Sequence, residues 1–211
     1  MPPFYGGVVR DATGNLDGAT YSGGSGNAGI VFKLDSTGHE TILYAFTGGA
    51  DGSSPGNGLV RDAAGNLYGT TLGGGLGSGG VQSGYQRPRN RTLHLYRRCG
   101  RRRPWAGVIL DPVGNLYGTT YLGGLANKGV VYKLDTSGKE TVLHNFRGTD
   151  GANPHASLIF DANGNLHGTA FLGGASGDGD IFKLETVPVT SRCGIASREA
   201  TTELNLTRDS L

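Results

Sequence analysis

One string recurs four times in this chain and limits its fold more than any other feature. Gly-Asn-Leu-x-Gly-(Thr/Ala) begins at Gly14, Gly65, Gly114 and Gly164, at intervals of 51, 49 and 50 residues. An Asp stands three residues before each copy: Asp11, Asp62, Asp111 and Asp161. Other elements keep the same period. Val/Ile-aromatic-Lys-Leu-acid begins at Val31, Val131 and Ile181; Gly-x-Glu-Thr-(Ile/Val)-Leu at Gly38 and Gly138; Asp-Gly-x-x-Pro at Asp51 and Asp150. A period of this length marks an array whose units bury their apolar faces only by stacking on one another.

Each unit reads as four short strands. In unit two, Gly58 to Asp62 is a first strand, Ala63 to Asn66 a turn, and Leu67 to Thr71 a second strand. Asp before a turn accepts backbone N–H groups, and Gly takes the left-handed position. Ile30, Phe32 and Leu34 share one face of a third strand by the period of two, and Thr41 to Phe46 supplies a fourth. In unit three the pattern predicts strands near 107–111, 116–120, 129–134 and 141–146. Glycine supplies 40 residues without a Gly-X-Y period, which means many tight turns. The fold class is therefore all-β: tandem four-stranded antiparallel units forming a partial or incomplete β-propeller. A β-solenoid is the main rival, but its coils are usually shorter. The repeat domain spans residues 1–186, and the polar stretch 187–211 is expected to be a disordered tail, with Ser197 to Leu206 the one place for a short helix.

The run Asp-x-x-Gly-Asn-Leu-Tyr-Gly-Thr-Thr, then Gly-Gly, then Val-Phe-Lys-Leu-Asp, then Gly-x-Glu-Thr-x-Leu-Tyr-x-Phe and Asp-Gly-x-x-Pro resembles the bacterial choice-of-anchor tandem repeat GloVer-containing proteins. The resemblance covers roughly residues 4–81 and 104–186. It implies a secreted or cell-surface repeat protein, normally with more units and a separate anchor, and it carries no catalytic residues. The hairpin also weakly resembles propellers of the NHL type. The first residues show neither the charged nor the apolar region of a signal peptide, so the chain is expected to be cytosolic or to lack its true N-terminus. No apolar run approaches a membrane span.

Residues 82–103 break the pattern. Eight of the 14 arginines lie between Arg87 and Arg103, with no acid among them; the rest of the chain is acidic. The repeat resumes at Pro104 with its length preserved. Read one base earlier, a permitted codon choice converts the segment into FKVDTSGHETVLYTYTGAADGADP, which parallels Phe32 through Pro55. Two compensating frameshifts account for this, and resequencing the DNA tests it. The functional alternative is an arginine-rich nucleic-acid patch with Tyr85, His94 and Tyr96; the shifted-frame match argues against nucleic acid as a partner.

The search for chemistry returns little. Cys99 and Cys193 are too few for a disulfide framework and lie outside the repeated part. The Asp-x-x-Gly-Asn turns invite a calcium reading, but one carboxylate per turn is fewer than such a loop gathers. His39, His144 and His167 replace other residues at repeat positions, as tolerated variation does; with His94 and His155 they complete the histidines. We expect no catalytic residue, cofactor or metal. Tyr44, Phe46, Tyr132, Phe146 and Phe182 are expected to pack between units. Tyr68, Tyr117, Tyr121 and Trp105, beside turns, are the candidates for a sugar-binding face. The expected function is a non-enzymatic binding or scaffolding module whose partner is a glycan or a protein; a propeller lactonase or lyase is the rival. Self-association through open sheet edges is also expected.

Overall fold

The computed structural model of the protein describes residues 6–74 and 105–186, together with the backbone of Leu206–Thr207. The arginine-rich segment, both cysteines and the rest of the tail lie outside the described residues. Every regular element among those described is a β-strand. Unit one forms the sheet β1 (Val9–Arg10), β2 (Leu16–Thr20), β3 (Ile30–Leu34) and β4 (Glu40–Ala45), paired in that order. After a connector strand β5 (Ser53–Pro55), unit two contributes β6 (Val60–Arg61), β7 (Leu67–Tyr68) and β8 (Thr71–Gly73). Unit three repeats unit one as β9 (Ile109–Leu110), β10 (Leu116–Thr120), β11 (Val130–Leu134) and β12 (Glu140–Asn145). A second connector, β13 (Ala152–Pro154), leads to β14 (Ile159–Phe160), β15 (Leu166–Leu172) and β16 (Asp180–Leu184). Strand β17 (Leu206–Thr207) pairs with β16, at the register that β4 and β12 hold in their own blades.

The Asp-x-x-Gly-Asn run folds each hairpin by one device. Asp11 Oδ1 accepts the N–H groups of Thr13 and Asn15, both at 2.9 Å, and Oδ2 accepts Asn15 Nδ2 at 2.8 Å. Asn66, Asn115 and Asn165 each give backbone and side-chain N–H groups to Asp62, Asp111 and Asp161, all within 2.8 Å. The Gly14 N–H closes the turn on the Asp11 carbonyl at 3.1 Å, with glycine at φ 91°, where an L side chain is strained. Strands β3 and β4 carry a bulge between Val31 and Phe32, and β11 and β12 carry the same bulge between Val131 and Tyr132. Such a bulge sharpens the local twist.

The first strand of unit three is shorter than the 107–111 expected from the pattern. Its beginning serves the neighbours instead of its own sheet. A Cβ on Gly107 would lie 3.3 Å from Ser157 Oγ and 3.5 Å from the Gly58 carbonyl; one on Gly58 would lie 3.4 Å from the Gly7 nitrogen. Gly7, Gly58, Gly107 and Ser157 are one repeat position, so the first strands of all four blades converge on a common axis.

The Asp-Gly-x-x-Pro loops lock each blade to the next. Backward, the Ser54 N–H donates to the Ala28 carbonyl and the Asn153 N–H to the Lys128 carbonyl, both at 2.7 Å. Forward, β5 pairs Pro55 with Thr71, and β13 pairs Pro154 with Ala170. The prolines press on Gly29 and Gly129, where a Cβ would come within 2.5 and 2.6 Å of the ring. Three apolar clusters result, one per junction. The first joins Val31 and Phe46 to Leu59 and Leu67; the second joins Tyr68 to Val108, Leu116 and Tyr132; the third joins Tyr117, Val131 and Phe146 to Leu158, Leu166 and Phe182. The core is therefore between blades, as a stack of thin sheets requires.

Candidate functional site

The polar residues that drew attention in the sequence are committed to the fold. In each hairpin a further side chain reaches the Asp: Lys33 Nζ to Asp11 at 3.0 Å, Tyr68 Oη to Asp62 at 2.9 Å, Tyr117 Oη to Asp111 at 3.1 Å and His167 Nε2 with Asp161 at 3.2 Å. His167 thus takes the phenol's place with the same partner. His144 does so for Tyr44: both bond the Asp of the following loop, at 3.0 Å to Asp150 and to Asp51. The hydrogen bonds from Asn15 and Asn165 hold the Asp11 and Asp161 carboxyls well below the usual range. Burial, and then the Asp111 charge, push the Tyr117 phenol up to about 12. Among the described residues no group of three or more His, Cys, Asp or Glu is placed to hold a metal ion.

One charged group differs from the repeats. Asp17 occupies the position of Tyr68, Tyr117 and His167, and it is buried. A carboxylate cannot donate to Asp11. Lys33 donates to Asp11 instead, and Arg61, from the next blade, donates to Asp17 at 2.8 Å with its guanidinium 3.9 Å from Asp11. The same pair of positions is Tyr68 with Leu110 at the second junction and Tyr117 edge-on to Phe160, centroids 5.3 Å apart, at the third. Asp17 and Arg61 therefore form a junction contact with their charges already matched.

The four aromatic candidates divide two and two. Tyr68 and Tyr117 are buried at junctions with their hydroxyls bonded, so neither presents a face to a ligand. Trp105 is 40% exposed and Tyr121 half-buried, and their ring centroids are 5.6 Å apart. His155 joins them, 4.8 Å from Trp105 and 6.0 Å from Tyr121, and Phe171, 62% exposed, lies 6.0 Å beyond it. Sequence reasoning missed His155 and Phe171, although a signal was present. Trp105 and His155 both follow the connector proline, with Gly56 as the counterpart in unit two. Tyr121 and Phe171 both stand seven residues after the repeat's first glycine, with Tyr21 and Leu72 as counterparts. The two positions meet in unit two as well, where a Cβ on Gly56 would lie 2.9 Å from Leu72 Cδ1. Blades three and four together thus carry a contiguous aromatic surface, pinned by the Asn153 side-chain amide on the Tyr121 carbonyl at 2.8 Å.

A solved structure shares the fold. A protein given a provisional gluconolactonase assignment aligns with a TM-score of 0.53 at 14% identity, over 87% of this chain and 59% of that one. A virginiamycin B lyase from Staphylococcus aureus aligns with a TM-score of 0.44 at 15% identity, over 88% of this chain and 56% of that one. The chain thus spans less than two thirds of either protein. No curated protein matches it. The sequence profile of the Gloeobacter/Verrucomicrobia repeat matches residues 86–202, more than half of the chain. With its repeating hairpins and stacked four-stranded sheets, the chain belongs to the Gloeobacter/Verrucomicrobia repeat family.

Proposed function

We propose that this chain is a non-enzymatic, secreted or cell-surface binding module that holds glycans on the surface formed by Trp105, Tyr121, His155 and Phe171. The observation that carries the reading is the clustering itself: four ring side chains, from two repeat positions and two adjacent blades, are gathered on one surface. Grouped exposed apolar side chains mark interaction sites, whereas scattered ones do not. The C–H face of a pyranose is complementary to the electron-rich face of an aromatic ring, and rigid aromatics lose little entropy on contact. Connector strand β13 ends at Pro154, immediately before His155, and its Asn153 amide holds the Tyr121 carbonyl, so this part of the platform is preformed.

The lactonase or lyase reading would need acid, base or metal groups with free valences. Asp17, a carboxylate with no counterpart in the other hairpins, is bound to Arg61. Titration of the chain with a panel of neutral and acidic polysaccharides tests the proposal. Binding to at least one is expected, weakened roughly tenfold by Trp105→Ala or Tyr121→Ala, equivalent to about 1.4 kcal/mol. Tyr68→Phe, remote from the platform, is expected to bind as the parent does. Binding that ignores the Trp105 and Tyr121 substitutions, or turnover of a lactone by the purified chain, defeats it.

A further inference from the structure

The two ends of the blade stack are bare in complementary ways. On its rear face, each inner blade buries one apolar residue against the preceding blade: Leu59 is 7% exposed, Val108 4% and Leu158 1%. Val8 holds the same position in blade one and is 53% exposed. Leu166, Phe182 and Leu184 are fully buried on the rear of blade four, but Leu16, Phe32 and Leu34 in blade one are only half-buried. The front face shows the converse. Val31 is 2% exposed beneath blade two and Val131 0% beneath blade four, but their counterpart Ile181 in blade four is 60% exposed. Thr169 and Ile159 lie bare on the same face.

We infer that the front of blade four seats the rear of blade one from a second copy of this chain, so that copies associate head to tail. The occupant is chosen by the chain's own junctions. Twice the chain covers a front face of the Val31 type with a rear face of the Leu158 type, at the first and third junctions, and at the second Tyr68 meets the rear residues Val108 and Leu116. Blade one offers that rear face and blade four that front face, and among the described residues Val8 and Ile181 stay exposed on them. The charges agree. Arg10 holds the position of Arg61, so in a second copy it comes to the hairpin of Asp161 as Arg61 comes to that of Asp11. The sequence points to open sheet edges as the sticky feature, but β17 covers the edge of β16 in blade four; the exposed apolar surface lies on the faces. Such an interface joins two different patches, so it builds chains or closed rings instead of stopping at a symmetric pair.

Sedimentation of the full chain tests this with two charge substitutions, Val8→Asp and Ile181→Asp, at positions exposed enough to tolerate them. The mass of the parent is expected to rise at least twofold with concentration. Each variant alone loses one face and is expected to remain monomeric. Mixed in equal amounts, the variants keep one good face each and are expected to form a one-to-one dimer and nothing longer. A parent that stays monomeric at its highest soluble concentration overturns the inference. So does a variant that still associates alone, which places the contact elsewhere, or a mixture that stays monomeric. Glycan binding is measured on another surface, so the two proposals fail separately.

Discussion

The first and third blade junctions occupy the same repeat positions with opposite chemistry. At the first, Asp17 and Arg61 face each other at 2.8 Å across the blades, with Lys33 closing on Asp11 from behind. At the third, Tyr117 meets Phe160 edge-on, and Phe146 packs at 5.0 Å on Phe182 beneath them. The backbone does not distinguish the two: β1 to β4 and β9 to β12 share order, register and bulge. The lesson is that a repeat of this kind fixes where a contact is made and leaves its chemistry open, provided both partners change together. A buried carboxylate requires a donor in the next blade, and a buried phenyl ring requires an apolar one.

The strongest way to break the comparison is to remove the apolar junction. Phe146 is fully buried, and Phe146→Ala is expected to cost about 3–5 kcal/mol in a denaturant titration, from lost transfer energy and an unfilled cavity. A loss below that of the ionic junction would show that the third junction does not dominate. At the first junction, Arg61→Ala leaves Asp17 buried without its partner. The expected cost is about 1–3 kcal/mol, moderated because Arg61 is itself partly exposed. The double substitution Asp17→Tyr with Arg61→Leu copies the pair Tyr68 and Leu110 of the second junction, and it is expected to recover most of that loss. If the double variant is as unstable as the single one, the positions are not interchangeable and the equivalence of the junctions fails.

Acid sharpens the comparison in the hairpins. The Asp11 and Asp161 carboxyls titrate below their ordinary values, chiefly because Asn15 and Asn165 donate to the ionised form. A depressed carboxylate stabilises the fold above its unfolded pKa, near 4, and that contribution is lost as pH falls from there toward the folded value. The melting temperature is therefore expected to fall as pH drops below about 4. Asp161→Asn is expected to lower stability at neutral pH and flatten part of that acid slope. An unchanged slope in the variant would mean that the hairpin Asp is not the titrating group.

The hairpins were legible in the sequence because their determinants are local. Asp, Gly and Asn within five residues supply the donors, the acceptor and the positive φ, and the strands around 116–120 and 129–134 follow from them. The packing of Phe46, Phe146 and Phe182 was legible too, since alternation within a strand tells one face from the other. The surface was only half legible. Tyr117 and Tyr121 belong to one segment and look alike in composition, but the first lies under blade four and the second passes beyond its cover. His155 stands out in no motif, because its neighbours Trp105, Tyr121 and Phe171 come from other segments.

The sequence by itself determined the unit: its period, its turn, its strand count and the side of each strand that turns inward. These depend on contacts a few residues apart or on the two-residue alternation of a strand, which any copy of the unit repeats. The tertiary structure alone decided how the units differ. It brought Arg61 to Asp17 across 44 positions of chain, gathered four rings on blades three and four, and left Val8 and Ile181 exposed where their repeat counterparts are buried. Burial is a property of what lies opposite, and identical positions in identical blades acquire different roles when only some of them have a neighbour.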